Sequence, residues 1–243
     1  NHSSLPIIMI TKNEEEWLME EAIAAQITNY LTKPVNPSQI LIACKNVLES
    51  QKIKAEFVTK DYLDSFNKLS QKINNSYTIN DWYEIMDDLI EWSINIDKIG
   101  EQGLVNLLDE QWREANNRFT DFVSNNYALW MKNENRPMMS PDIIKNFLLY
   151  PLNSNEKVVF ILLDCLRSDQ LKAMSQQISN FFHMDTQYYL SILPTATPYS
   201  RNAIFSGFFP KELQQNYPKL WEEMWRDEHS MNKYESQFLE KSL

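Results

Sequence analysis

The sequence predicts an α/β protein with an all-helical middle domain. Two apolar runs, at 5–10 and 158–163, lead into helix-forming stretches, as buried strands of an α/β sheet do. Only three glycines occur in 243 residues, which disfavours a turn-rich all-β fold and excludes a glycine-rich phosphate loop. We therefore expect half of an α/β sheet over 1–50, a helical bundle over 51–152 and the start of a second α/β sheet over 153–243.

Composition and charge exclude several classes of function. Acidic residues outnumber basic ones by 33 to 23, and the net charge of −10 repels a polyanion unless a local patch or a metal offsets it. No apolar run approaches the ~18 residues of a membrane span, and no signal peptide opens the chain. Cys44 and Cys165 make no disulfide framework and fit a reducing compartment. We expect a cytoplasmic protein without membrane insertion and, since the chain begins without Met in an apolar strand, a fragment cut at both ends.

The first region is predicted to be half of an open α/β sheet. Its apolar strand ends at Thr11, a helix-like stretch around Trp17 follows, and a second short strand ends at Lys33. At the carboxyl edge of a parallel sheet, the hydroxyl of Thr11 and the ammonium of Lys33 would meet, and both suit a phosphoryl group. The alternative, which the spacing alone favours, is that Thr11 caps a helix and Lys33 is a solvated loop residue.

Two segments, at 6–11 and 22–34, resemble the second half of the CheY-like receiver domain of two-component response regulators. The resemblance covers roughly the first fifty residues and implies that Thr11, Tyr30 and Lys33 are the receiver switch residues. It also implies a cis peptide bond after Lys33. The phosphoacceptor aspartate and the acidic pair that binds magnesium lie upstream in that family, so we do not expect this chain to be phosphorylated there.

The region 51–150 is predicted to be entirely helical. Apolar residues recur there at helical spacing: Trp82, Ile85, Leu89, Trp92 and Ile96, then Leu104, Leu108, Trp112, Phe119 and Phe122. Gly100 and Gly103 mark the turn between these two helices. Ser140, followed by proline, opens a further helix that is expected to end at Tyr150, before the next proline.

The third region is predicted to begin a second α/β domain. The run at 158–163 has the pattern of a doubly buried strand that ends at Asp164, and 188–193 has that of a second strand, before a short helix at Thr197. Asp164 is either a ligand for a divalent ion or, more commonly for such residues, a helix cap. Thr197 is either an N-cap or, bound to zinc, a nucleophile that attacks phosphorus at the helix N-terminus.

Asp164 and Thr197 together resemble the start of the alkaline phosphatase superfamily core. In that superfamily a strand-end aspartate binds metal, and a serine or threonine at the next helix start attacks phosphorus. The sequence around them, at 163–169 and 194–201, is similar to the PglZ branch. A receiver, a helical middle and a PglZ domain form the layout of the PorX-type response regulators, which this chain resembles throughout.

The resemblance implies a zinc-dependent phosphodiesterase output. Thr197 would be the nucleophile and a metal ligand, Asp164 a ligand of the two-zinc site, and Arg201 and Asn202 contacts to phosphate oxygens. Implied partners are a sensor histidine kinase, an oligonucleotide or cyclic-oligonucleotide substrate, and a second copy in a homodimer that forms on phosphorylation. The implied output is type IX secretion and gliding in a Bacteroidota bacterium. Because further zinc ligands lie downstream in the superfamily, we expect this fragment to be inactive.

Two other functions stay open at this point. A transcriptional response regulator would bind DNA, but the sequence has no helix-turn-helix pattern and no basic stripe. A non-catalytic interaction protein would dimerise and dock partners through the aromatic residues of the middle region, which core packing explains equally well. A gel shift tests the first alternative, and zinc-dependent hydrolysis of a nitrophenyl phosphodiester tests the second.

Overall fold

The computed structural model describes residues 6–12, 27–132, 135–154, 156–226, 229 and 231–243. Its elements, in chain order, are β1 (Ile8–Thr11), β2 (Asn29–Thr32), α1 (Pro37–Asn74), α2 (Ile79–Asp97), α3 (Gln102–Trp130), a 3-10 turn (Ser140–Asp142), a π-helical segment (Lys145–Leu149), α4 (Tyr150–Asn153), α5 (Ser168–Ile178), α6 (Thr197–Ser206), α7 (Pro210–Asn216), α8 (Pro218–Met224) and α9 (Glu235–Ser242). The helix predicted around Trp17 lies outside the described residues. No helix in the described part of the chain is both long and apolar enough to cross a membrane.

The chain divides into two compact units. The first lies within 1–75 and 87–115, and the second within 76–86 and 116–243. Both α2 and α3 therefore contribute residues to each unit, because each helix passes from one range to the other. The residues predicted to carry the chemistry of phosphate ester cleavage all belong to the second unit.

β1 and β2 form a two-stranded parallel sheet, as predicted for the first region. The register places Thr11 opposite Thr32, and the N–H of Lys33 donates to the carbonyl oxygen of Thr11 at 2.7 Å. The peptide bond between Lys33 and Pro34 is cis, which confirms the prediction. The carboxyl ends of the two strands thus lie side by side.

The first unit is organised by α1. A capping box opens this helix: Asn36 accepts a hydrogen bond from the N–H of Ser38, and the side chain of Gln39 accepts one from the N–H of Asn36. Further along α1, the hydroxyl of Tyr62 donates to Oε1 of Gln111 in α3 at 2.8 Å, and both side chains are buried. This polar pair fixes how α1 meets α3 in a core that is otherwise apolar.

The middle region is helical, as predicted. The described residues between 51 and 150 contain no strand of three or more residues, and Gly100, with a φ of 71°, lies in the turn between α2 and α3. The last helix differs from its prediction because it does not end at Tyr150. The helical run continues through a π-helical segment into α4, and Pro151 within this run has no N–H to donate to the preceding turn.

The second predicted sheet is wrong for the described residues. Neither 158–163 nor 188–193 forms a strand there, and only an isolated parallel bridge joins Leu190 to Met139. The predicted double burial also fails, since Val159 and Ile161 are 83% and 71% exposed. A strand exists only beside a neighbour that bonds its N–H and C=O groups, and no described segment pairs with 158–163. The fold is therefore mostly helical with one small sheet.

The second unit is packed around α6. Ala203 of this helix lies in a cluster with Met139 and Ile192, against which the rings of Tyr127, Trp130, Tyr199 and Phe209 pack. Phe205 faces a second cluster, which is formed by Leu213, Met224 and Phe238. Because α6 is held by both clusters, the residues at its N-terminal end have a fixed place.

Candidate functional site

The site is built on the first turns of α6. Ala196 occupies the N-cap position and Thr197 is the first helical residue, so the interpretation of Thr197 as an N-cap is wrong. Pro198 follows in the first turn, where its fixed φ suits a helix, and Gly207 ends the helix with a φ of 70°. Thr197 is half-buried, so its hydroxyl is placed at the helix start and not sealed in the core.

Asp164 lies in a sharp turn. Its Oδ1 accepts a hydrogen bond from the N–H of Cys165 at 3.0 Å, and Cys165 has a φ of 61°, which residues with a Cβ rarely adopt. The ring of Phe160, shortly before this turn, packs edge-on against Phe205 of α6 with centroids 6.1 Å apart. The aromatic contact ties the segment that carries Asp164 to α6.

Arg201 connects Asp164 to the helix that begins with Thr197. It follows Thr197 by four residues, so the two side chains lie on the same face of α6. Nη1 of Arg201 lies 3.4 Å from Oδ2 of Asp164, and Nη2 lies 2.5 Å from Oε2 of Glu235. The structure thus brings Asp164 to Arg201, on the face of α6 that also carries Thr197. That the oxygens of Asp164 and Thr197 lie within the span of one metal ion stays a prediction.

The charge of Arg201 is secured by its partners. Partial burial alone would lower its pKa, but the hydrogen bond and charge of Glu235, with a smaller effect from Asp164, raise the pKa above its usual value. The guanidinium therefore stays charged under all physiological conditions. A permanent cation beside a helix N-terminus is suited to a phosphate oxygen.

Asn202 is placed differently from its neighbour. It is buried, and its Nδ2 donates to the carbonyl oxygens of Pro198 at 2.6 Å and Met231 at 2.9 Å. These bonds tie α6 to the segment before α9. A contact from Asn202 to phosphate, as the resemblance implies, would have to use its Oδ1 or displace one of these bonds, so this role stays a prediction.

Two residues of the site were missed by sequence reasoning. Nδ2 of Asn232 donates to Oε1 of Glu235 at 2.8 Å and lies 3.5 Å from the carbonyl oxygen of Thr197. Glu235, in turn, is the partner of Arg201. No local motif marks either residue, since they follow Arg201 by more than thirty positions in a polar stretch with no periodic pattern. Only the packing of α9 on α6 reveals them.

The donor set fits a metal only in part. The carboxylate of Asp164 and the hydroxyl of Thr197 are oxygen ligands of a kind that zinc accepts. Within the described ranges, however, no group of three or more His, Cys, Asp or Glu side chains could hold a metal ion. His183 and His229 are exposed and not part of such a group. The described residues therefore do not build a two-zinc site by themselves.

Two of the three proposed switch residues of the first unit, Thr11 and Lys33, lie at the carboxyl edge of its sheet. Thr11 ends β1, and Lys33 follows β2 directly. Tyr30 is half-buried within β2. The backbone hydrogen bond from Lys33 to Thr11 places the two residues side by side, while the roles of the three residues in switching stay predictions.

Comparison with protein families gives two matches in sequence order. Residues 52–131 match the PorX response regulator linker domain, and residues 146–240 match the BREX system PglZ alkaline phosphatase-like domain. No curated protein matches the chain. A response-regulator linker joined to an alkaline-phosphatase-like domain defines a response regulator with a phosphatase-like output. The chain belongs to the PorX-type response regulators. Asp164, Thr197, Arg201 and Glu235 all fall within the PglZ match.

Proposed function

We propose that the PglZ-like region hydrolyses phosphodiesters with Thr197 as its nucleophile. The observation that carries this proposal is the contact between Arg201 and Asp164, one helical turn from Thr197. A hydroxyl, a permanent cation and a carboxylate then surround one helix N-terminus, the place where a phosphate group is best stabilised. The family match to an alkaline-phosphatase-like domain supports the same reaction class.

The chain's own residues account for the covalent step. The Oγ1 of Thr197 attacks phosphorus, the bond to one ester oxygen breaks, and the departing alcohol carries the proton that the hydroxyl lost. Water then cleaves the bond between threonine and phosphorus, which restores Thr197 and releases a phosphate monoester. Arg201 binds a non-bridging oxygen and offsets the charge that grows there during attack. Asn202 supports this arrangement by holding α6 in place.

The finer details of the proposal come from the family resemblance. Proteins of the alkaline-phosphatase-like class usually depend on metal, and we infer that the metal is zinc, with Asp164 and Thr197 as the ligands that this chain contributes. The inferred substrate is an oligonucleotide or a cyclic oligonucleotide, and the inferred output is type IX secretion and gliding. The protein has a net charge of −10 and repels such an anionic substrate. The positive charges of Arg201 and of the bound metal would be needed to attract it locally.

Regulation is assigned to the first region. We infer that 1–50 is the second half of a receiver domain in which Thr11, Tyr30 and Lys33 respond to phosphorylation. A sensor histidine kinase in the cytoplasm would be the partner, magnesium would serve the complete receiver, and phosphorylation would favour a homodimer. The parallel pairing that brings Thr11 beside Lys33 supports this inference.

The test is to replace Thr197 by alanine in the full-length protein. We expect Thr197→Ala to reduce zinc-dependent hydrolysis of bis(p-nitrophenyl) phosphate by about three orders of magnitude or more, because the covalent step is lost. Thr195→Ala is the matched control, since Thr195 is exposed in the preceding turn and loses the same hydroxyl. If Thr197→Ala retains most of the turnover, then water and not Thr197 attacks the phosphorus.

A further inference from the structure

Arg201 is held unequally by its two carboxylate partners. The distance from Nη2 to Glu235 is 2.5 Å, typical of a strong charged hydrogen bond, whereas the distance from Nη1 to Asp164 is 3.4 Å. The side chain of Glu235 is 14% exposed and that of Asp164 is 46% exposed. Water therefore screens the second pair much more than the first. Glu235 is the firm partner of Arg201, and Asp164 is the exchangeable one.

Glu235 is itself fixed in place. It is the first residue of α9, and its Oε1 accepts a hydrogen bond from Asn232 at 2.8 Å. The other end of α9 is tied to α6, because the hydroxyl of Ser242 donates to the carbonyl oxygen of Phe205 at 3.0 Å. Phe238, between them, is fully buried. The carboxylate that holds Arg201 is thus part of a rigid contact between two helices.

Arg201 keeps unused hydrogen-bonding capacity. A guanidinium group has five N–H donors in a fixed plane. Glu235 takes one nitrogen, Asp164 takes another at long distance, and Nε is buried with no partner among the residues that the structure describes. When the contact with Asp164 breaks, Nη1 can donate a hydrogen bond to a new acceptor on the side of α6 that carries Thr197.

We propose that Glu235 is a positioning residue that fixes the guanidinium of Arg201, so that Arg201 can exchange Asp164 for a phosphodiester oxygen. This inference rests on the proposed function, in which Thr197 attacks the same phosphate. Without the charge on Glu235, Asp164 is the remaining carboxylate partner of Arg201. The guanidinium would then turn towards Asp164 and away from the substrate oxygen.

The experiment measures binding in a background that cannot turn over. In full-length Thr197→Ala protein with zinc present, the Kd of bis(p-nitrophenyl) phosphate is measured by calorimetry, with and without Glu235→Gln. We expect Glu235→Gln to weaken binding about tenfold, the cost of one oriented charged hydrogen bond. Glu240→Gln is the matched control, because it removes the same charge from an exposed position of the same helix. It should leave the Kd unchanged.

A second comparison separates positioning from a general effect on structure. If Glu235 acts only through Arg201, then Glu235→Gln causes no further weakening once Arg201→Ala is present. A merely structural role would weaken binding in both backgrounds and would lower the melting temperature in parallel. Asn232→Ala provides a second variant should Glu235→Gln fail to fold. It removes the hydrogen bond to Glu235 but leaves the charge of Glu235 in place. We expect it to weaken phosphodiester binding less than Glu235→Gln does.

The outcomes distinguish this inference from the proposed function. An unchanged Kd in both Glu235→Gln and Asn232→Ala, or equal weakening with and without Arg201, overturns the positioning role while the proposed function stands. Residual turnover in Thr197→Ala, or no phosphodiester binding by that protein, overturns the proposed function, and the inference falls with it.

Discussion

Helix α2 and the segment 158–163 differ in how far their apolar residues are buried. Along α2, Trp82, Ile85, Leu89 and Ile96 are all buried, at the helical spacing seen in the sequence. In the segment 158–163, the apolar residues alternate between half-buried and exposed, and Ile161 is 71% exposed. Both regions are rich in apolar side chains, so hydrophobicity alone does not decide which of them is buried.

The difference follows from where each backbone finds its hydrogen bonds. A helix satisfies its N–H and C=O groups internally and needs only another apolar face to pack against. A strand must bond to a neighbouring strand, and its two faces are covered only when a sheet is formed. The apolar residues of α2 therefore need only side-chain packing to be buried, while the apolar run before Asp164 also needs a strand beside it.

The sharpest way to break this comparison is one substitution made in both regions. We expect Ile85→Ala, at a position 1% exposed, to lower the free energy of unfolding by about 2–5 kcal/mol, because a buried side chain leaves a cavity. We expect Ile161→Ala to change it by less than about 0.5 kcal/mol, as for other exposed positions. Urea denaturation of the same chain measures both values. Equal losses in the two variants would mean that 158–163 is packed in a sheet after all.

The same contrast explains how much the sequence could predict. The helix periodicity after Trp82 and the turn at Gly100 are local signals, and both were confirmed. The juxtaposition of Thr11 and Lys33 was also predicted, because a parallel pair brings two strand ends together by geometry alone. Whether 158–163 forms a strand depends on a partner that is distant along the chain, and so does the role of Glu235. No local pattern in the sequence specifies such partners.

The polar contact between α1 and α3 offers a finer measure of how the helical region is held together. We expect Tyr62→Phe to lower the free energy of unfolding by about 1–3 kcal/mol, because Oε1 of Gln111 is left buried without its donor. Tyr77→Phe is the control, since Tyr77 is exposed and loses the same hydroxyl. Chemical denaturation should show a lower midpoint for the first variant alone. Matching midpoints would show that water replaces the lost donor.

Alkaline pH tests the burial of the same hydroxyl group. Burial raises the pKa of Tyr62 to about 12, from an ordinary value of 10.0. Between these values the unfolded chain loses the proton and the folded chain keeps it, so the stability present below pH 10 falls as the pH rises towards 12. The stability of Tyr62→Phe should fall less steeply over this range of pH. Part of the fall should remain, because burial also raises the pKa of Tyr83 and of Tyr189. Identical slopes in the two proteins would contradict the burial of the hydroxyl in solution.

The smallest expected effect is that of zinc on this chain. The experiment tests whether a metal ion stabilises the segment that carries Asp164. A zinc site takes three or four protein ligands, and the described residues contain no group of three or more His, Cys, Asp or Glu side chains that could hold a metal ion. Asp164 is moreover engaged by Arg201, which a zinc ion would have to displace. A ligand stabilises the folded state only when its concentration exceeds its Kd, so a weak site adds almost nothing. We therefore expect that adding zinc does not change the melting temperature of the chain. We expect the same lack of response to zinc in the Asp164→Ala variant. A zinc-dependent rise that Asp164→Ala removes would show that this chain holds the metal with ligands besides Asp164 and Thr197.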